Sequence, residues 1–443
     1  MNVTLRSRPA AVLFAAAVAF LPGMAFAAVE AETQFIFNTL IFLIGGFLVM
    51  FMAAGFCCLE AGFVRSSSVT TICVKNIALY AIAGLMYYVV GYNLMYSGVD
   101  GGFMGTFSMW SIDDSANLNA DGEFIGEGGY AAASDWFFQM VFVGTAASIV
   151  SGAVAERVKL WSFLAFSAVL CGFIYPITGS WQWGGGWLSE RGFSDFAGST
   201  LVHSVGGWAA LVGVLLIGAR KGRFTKDGKS IPMPGSSVPL ATLGTFILWL
   251  GWFGFNGASQ LALGTGADAA AIATIFVNTN IAACGGLLAA MLFTQLIFKK
   301  VDPSMALNGA LAGLVSITAE PLAPVMGEAL LIGAVGGIVM AFAVLALDKF
   351  KIDDVVGAIP VHLACGIWGT LAVPITNVET SFITQAIGVV SIGAFTVVTT
   401  LVVWVVIKAV MGVRITDAME EIGIDQAETG LDAYPDFVRT SKA

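Results

Sequence analysis

The chain has 443 residues, 58% of them hydrophobic and 11% charged, and its mean hydropathy is +0.87. Soluble domains carry about 25% charged residues and space their apolar positions periodically, so this composition excludes one. The formal net charge of −9 comes from loops and tails and is no sign of an acidic partner; without a basic face, nucleic acid is excluded too. Apolar runs repeatedly exceed the ~20 residues that a helix needs to cross hydrocarbon, and the chain reads as an all-α polytopic membrane protein.

The first 28 residues stand apart. Arg6 and Arg8 precede an apolar stretch from Ala10 to Leu21, and Pro22-Gly23 breaks it. Small residues follow in Ala25-Phe26-Ala27-Ala28, then the acidic Val29-Glu30-Ala31-Glu32. This is the build of a cleavable secretory signal, since the apolar stretch is short for an anchor. Cleavage near Ala27 or Ala28 puts the mature N-terminus in a bacterial periplasm. The membrane domain then covers 29–410 and a cytoplasmic tail covers 411–443.

Eleven apolar segments follow, near 34–58, 70–96, 133–154, 160–179, 200–219, 237–262, 268–298, 305–323, 327–347, 356–375 and 382–410. Lys and Arg fix their direction. The odd-numbered connections hold Arg65; Arg157 and Lys159; Arg220, Lys221, Arg223, Lys226 and Lys229; Lys299 and Lys300; Lys349 and Lys351. The tail starts with Lys408 and Arg414. Arg191 is the one basic residue of the even-numbered connections, and none occurs between Ser97 and Gly129. Odd connections are therefore expected in the cytoplasm, with the N-terminus periplasmic and the C-terminus inside. This agrees with the secretory signal and with residence in the bacterial inner membrane.

Within the spans, glycine pairs such as Gly45-Gly46, Gly206-Gly207, Gly285-Gly286 and Gly336-Gly337 suit close helix packing. The six cysteines lie in apolar segments without metal-type spacing and read as packing residues. Glu60, Lys75 and Glu156 read as snorkelling or paired charges near span ends, and Trp181 and Trp187 as interfacial anchors. Val89-Val90-Gly91-Tyr92-Asn93 looks like a potassium-filter sequence, but it sits in a continuous apolar helix rather than a re-entrant loop.

The chain has two histidines, His203 and His362, both expected mid-membrane. Val202-His203-x-x-x-Gly207 recurs as Val361-His362-x-x-x-Gly366, five spans later. Repeating an odd number of spans inverts the second copy. Helices 1–5 and 6–10 are therefore expected to form an inverted pseudo-two-fold repeat around a pore, with helix 11 peripheral and the histidines meeting near the midplane. Intramembrane ionisable residues are expensive and mark transport paths by default. Neutral imidazole offers one donor and one acceptor, and no third metal ligand is evident.

At these residues the sequence resembles the ammonium transporter/Rhesus family. The most specific stretch runs from Asp195-Phe196-Ala197-Gly198-Ser199-Thr200-Leu201-Val202-His203 through Gly207-Trp208-Ala209-Ala210 to Gly218-Ala219-Arg220. Glu60-Ala61-Gly62-Phe63-Val64-Arg65, Gly152-Ala153-Val154-Ala155-Glu156-Arg157 and Trp183-Gly184-Gly185-Gly186 also match. So do Gly251-Trp252-Phe253-Gly254-Phe255-Asn256 and Gly357-Ala358-Ile359-Pro360-Val361-His362. The matches span nearly the whole mature chain in family order.

The resemblance implies a homotrimer in the lipid bilayer, each subunit with its own pore for ammonium or ammonia and methylammonium, serving nitrogen uptake. It implies an outer cation site of Phe142, Trp183 and Ser259, with Asp195 supporting from behind, and a gate of Phe142 and Phe255. It also implies a twin-histidine pair, His203 and His362, in the pore. A tryptophan face attracts the cation and a serine hydroxyl accepts one of its bonds. Asp195 suits either a negative potential or a cap on a helix start, and the two are compatible. An apolar passage below favours neutral ammonia, with the histidines as proton relay. No cofactor, metal or enzyme activity is implied. The tail departs from the family: Glu428-Thr429-Gly430 stands where relatives carry Glu-His-Gly, which bears on its packing against a neighbouring subunit. It also bears on control by a PII-type signalling protein at the cytoplasmic face. A receptor that signals through a partner with little flux is the alternative, because the 33 residues after Val410 are too few for an output domain.

Overall fold

The computed structural model describes residues 30–437, so the expected secretory signal lies outside the described residues. Each expected apolar segment falls on a helix. The eleven are α1 (Ala31–Phe63), α2 (Ser66–Tyr96), α3 (Ala132–Ala153), α4 (Leu160–Ser180), α5 (Ser199–Ile217), α6 (Val238–Gln260), α7 (Gly266–Phe298), α8 (Pro303–Ile317), α9 (Met326–Lys349), α10 (Ile359–Thr376) and α11 (Phe382–Val410). Ten are long and apolar enough to cross a membrane. The eighth, α8, has 15 residues, shorter than the segment expected at 305–323. Asp302 and Pro303 set its start: Asp302 Oδ1 accepts the amides of Ser304 at 2.8 Å and Met305 at 3.2 Å. Among the described residues, extended pairing amounts to isolated bridges in connections.

Small residues hold the bundle together. Along the crossing of α1 and α6, Gly45 faces Ala258, Gly62 faces Ala241, and Gly254 faces the Gly45 carbonyl. In α7, α8 and α9, Gly286, Gly309, Gly313, Gly333 and Gly337 put backbone directly against backbone. A Cβ at these sites would separate helices that have no hydrophobic force to press them together. Apolar side chains on the outer faces, such as Phe47, Phe246 and Phe342, stay exposed as lipid solvation allows. Helix α11 lies along α4, α5 and α10 at the edge of the bundle.

Helices α5 and α10 meet at matching positions. A Cβ on Gly207 would strike Leu363, at 2.7 Å from its amide, and one on Gly366 would strike Ser204. Each glycine is four residues after its histidine, and each struck residue is one after the other histidine. This reciprocity is the pseudo-two-fold relation expected from the echo.

Charge gathers where the odd-numbered connections converge. Glu156 pairs with Arg65 at 2.5 Å and Arg220 at 3.1 Å, and Arg220 holds Asp353 with two bonds of 2.8 and 2.9 Å. Arg157, fully buried, donates to the carbonyls of Ala153, Ala155, Gly218 and Asp353. Burial alone would push the Asp353 carboxyl up; the hydrogen bonds and charge of Arg220, with Arg157 beyond, bring it down to about 2. The tail docks on its own chain through α12 (Asp417–Ile422) and α13 (Ile424–Glu428). Asp425 accepts the amides of Thr70 and Thr71, and Glu428 accepts that of Leu160, at the starts of α2 and α4. Without the family's histidine, the acidic residues of the tail still find helix N-termini.

Some expectations need correction. Of the two readings of Lys75, snorkelling falls and pairing stands: it is buried beside Glu60, donates to the Ser151 carbonyl at 2.7 Å and lies over the Phe163 ring. Glu60 is buried with it and accepts the Ser151 hydroxyl at 2.7 Å. Trp181 is not an interfacial anchor but a buried strut whose Nε1 donates to the Phe103 carbonyl at 2.8 Å, with Trp187 packed against it. Of the cysteines, Cys171 and Cys365 are buried, while Cys73 is exposed on the outer face.

Candidate functional site

The site is a column of side chains from α3, α4, α5, α6 and α10. At its mouth a cavity of about 490 Å³ is lined by Phe138, Gln139, Phe142, Gln182, Trp183, Phe196, Ser259 and Leu261, together with Tyr92, Tyr96, Tyr130 and Asp135. Phe138 and Phe142 are one turn apart on α3 and pack edge to face at 4.8 Å. Trp183 follows the end of α4, in the turn made by Gly184, Gly185 and Gly186. Gly185 has φ +74°, and a Cβ on Gly186 would press on the Ser180 carbonyl at 2.5 Å, so the glycines belong to the turn. Trp183 and Phe142 pack edge to face at 6.2 Å, and the Trp183 Nε1 donates to the Asp195 carbonyl at 3.0 Å. Ser259 lies just beyond α6's last regular turn and donates its hydroxyl to the Phe255 carbonyl at 2.7 Å. That leaves its oxygen lone pairs toward the cavity free to accept.

Under the mouth, the Phe142 and Phe255 rings stack at 3.9 Å and 20°, both buried. Phe255 in turn covers His203 at 5.3 Å. His203 and His362 face each other with Nδ1 atoms 3.2 Å apart and rings 5.2 Å apart. One Nδ1 must carry a proton and the other must not, because two N–H groups or two lone pairs at this distance repel. Trp252 stacks on His203 at 5.0 Å and is fixed by its own Nε1 donating to Thr318 at 2.8 Å. The Nε2 of His203 is buried without a partner. Such an unmet polar atom among apolar side chains has the capacity to bond a small hydrogen-bonding solute.

Both histidines sit in π-helical turns that open their helices, Ser199–Ser204 and Ile359–Ala364. A π turn inserts one residue and re-aims the side chain, a frequent feature of working sites. Asp195 anchors the first of them. Buried completely, it accepts the amides of Gly198, Ser199, Thr200 and Leu201 at 2.8–3.2 Å. Its carboxylate is thus the N-terminal cap of α5, with its backbone carbonyl on Trp183, and it does not line the cavity. Gly198 turns the chain at φ +107° to make this possible.

The structure therefore brings Phe142, Trp183 and Ser259 to one cavity, stacks Phe255 beneath it and joins the two histidines below. Sequence reasoning gave no role to Trp252, Tyr92, Asp135 or Asp354. For Asp354 a signal existed: it precedes His362 by eight residues, as Asp195 precedes His203. Among the described residues no three His, Cys, Asp or Glu gather as a metal site.

The sequence profile of the Ammonium Transporter Family matches residues 40–434. This chain belongs to the ammonium transporter family. It is 40% identical over 428 residues to the ammonium transporter Amt2 of Archaeoglobus fulgidus, covering 90% of this chain and 88% of the relative. It is 38% identical to the ammonium transporter Amt1 of Haloferax mediterranei, covering 90% and 79%. Among solved structures, one described as a sensor Amt protein shares 34% identity at TM-score 0.82, covering 90% of this chain and 99% of the other. Mep2 of Candida albicans aligns at TM-score 0.77 with 25% identity, covering 94% of each.

Proposed function

We propose that the chain takes up ammonium across the bacterial inner membrane, binding the cation at the mouth and conducting ammonia past the histidines. The carrying observation is the column itself: an aromatic and hydroxyl cavity, a stacked phenyl pair, then two histidines joined Nδ1 to Nδ1. The ring faces of Trp183 and Phe142 suit a cation of potassium size that also donates hydrogen bonds, worth ~0.5–2 kcal/mol per cation–π contact. The closed phenyl pair offers no oxygen to replace the water of a hydrated metal ion. Burying bare ammonium beyond it costs several kcal/mol or more, so ammonia is the species that crosses. Its proton then travels by the histidine pair, whose shared hydrogen bond is already in place. The basic odd-numbered connections support a cytoplasmic C-terminus. The homotrimer and a PII-type partner are carried over from the family resemblance as part of this reading.

Cells lacking other ammonium transporters and expressing this chain should accumulate labelled methylammonium in a saturable way. The second reading, an ammonium receptor with little flux, is favoured by the likeness to a sensor Amt protein. Absence of uptake, with ammonium-dependent signalling intact, decides for the receptor.

A further inference from the structure

The cavity at the mouth holds a carboxylate that the column below does not use. Asp135 sits in the first turn of α3, two turns before Phe142, so both residues share a helix face. It is only 7% exposed and still lines the cavity with Trp183 and Ser259. Tyr92 donates its hydroxyl to Asp135 Oδ2, and Tyr96 and Tyr130 stand in the same wall. No Lys, Arg or His is among the residues that line the cavity, so the carboxylate has no counter-ion there. A second observation concerns Gln182, which lines the same cavity. Its Oε1 is buried and accepts no hydrogen bond.

The Asp135, Tyr92 and Gln182 oxygens all keep acceptor capacity that the wall does not fill. A carboxylate with two oxygens has lone pairs beyond the one Tyr92 fills, the Tyr92 oxygen keeps its own, and the Gln182 oxygen is unmet. A buried carboxylate without a cation is costly, and an unmet amide oxygen adds to that cost. An ion with several N–H donors and a positive charge satisfies both at once, and the flanking phenol faces suit it as well. The approach is prepared by charge: between Ser97 and Gly129 stand Asp100, Asp113, Asp114, Asp121, Glu123 and Glu127, with no basic residue. One sign of charge over a low-dielectric cleft concentrates counter-ions at its mouth.

We propose that Asp135, with Tyr92 and the Gln182 amide oxygen, forms a second cation station in the vestibule, taking ammonium or a small alkylammonium ion before it reaches Trp183 and Ser259. This rests on the reading that ammonium enters through this cavity. A merely structural Asp135 would only anchor the Tyr92 hydroxyl, and asparagine keeps that acceptor while removing the charge.

The experiment compares the parent, Asp135→Asn and Asp135→Glu in the full-length protein. It reads equilibrium binding of labelled methylammonium to purified protein, and separately the concentration dependence of uptake by cells. Asp135→Asn should raise the half-saturating concentration roughly fivefold in both, the effect of losing one charge at the edge of a water-filled cavity. The maximal rate should fall less than that, and Asp135→Glu should restore most of the affinity. Unchanged half-saturation in Asp135→Asn overturns the station. If that variant does not assemble, Gln182→Leu replaces it: a rise of roughly twofold supports the station, and no change overturns it. Binding without uptake by the parent overturns the transport reading alone, since the binding arm still decides for or against Asp135.

Discussion

Helices α5 and α10 each open with a π-helical turn carrying a histidine, and each is preceded by a left-handed glycine and, eight residues before the histidine, an aspartate. Asp195 accepts four amides; Asp354 accepts those of Gly357 at 3.0 Å and Ile359 at 2.6 Å. Part of the difference is one residue. Leu201 donates its N–H to Asp195, whereas its counterpart Pro360 has none to donate. The surroundings diverge further. Asp195 lies fully buried behind Trp183 at the mouth, while Asp354 follows Asp353 in the arginine cluster at the opposite end. Besides each other, His203 has the rings of Trp252 and Phe255 against it, whereas His362 has that of Phe56, at 6.1 Å. The repeated segments build a symmetric frame, and the neighbours that are not repeated give each half its own task.

The largest effect should come from removing what the halves share. With His203→Asp and His362→Glu together, the passage becomes acidic and water should follow the carboxylates, because unpaired buried charges are costly. Ammonium then crosses as an intact ion and potassium crosses with it. Potassium flux in reconstituted protein beside the parent, both checked for assembly, tests this. A variant that transports ammonium and still excludes potassium would return the histidines to a packing role.

The two aspartates should then separate in stability. Asp195→Ala leaves four buried donors unmet and should cost on the order of 3–5 kcal/mol, read as a loss of assembly or a marked fall in the thermal midpoint. Asp354→Ala, with fewer amides and partial exposure, should cost about half as much. Equal losses would mean that the caps do not differ in the way their bonding suggests.

How much of this was legible follows the same division. The spans and the histidine echo could be read because hydropathy and motif spacing are local properties of the chain, whereas Phe142, Trp183 and Ser259 were named by the family resemblance and share one cavity. Helix α8 was overextended at its C-terminal end, where the apolar run continues through Thr318 and Ala319 but the backbone turns to receive Phe196 and Ala197 on those carbonyls. For Lys75 the sequence left snorkelling and pairing open, because its position near a span end suggests water while its partner Ser151 is 76 residues away. Asp135 went unread for a similar reason. A carboxylate at a helix start looks like a dipole effect until α2 brings Tyr92 to it.

The smallest expected effect concerns the mouth. Trp183 packs edge to face with Phe142 and is held to Asp195, so Trp183→Leu removes a π face, one hydrogen bond and one packing contact on Phe142 while leaving the Phe142–Phe255 stack and the histidines in place. A cation–π contact of ~0.5–2 kcal/mol corresponds to a two- to thirtyfold change in affinity, and the lower part of that range applies to a wet, open cavity. The half-saturating concentration for methylammonium uptake should therefore rise a few-fold while potassium remains excluded, since the proposed function assigns exclusion to the stacked phenyls below. An unchanged concentration dependence would remove Trp183 from the cation site. Entry of potassium would show instead that the Asp195 carbonyl bond holds the gate closed, making Trp183 a positioning residue for the whole α5 frame.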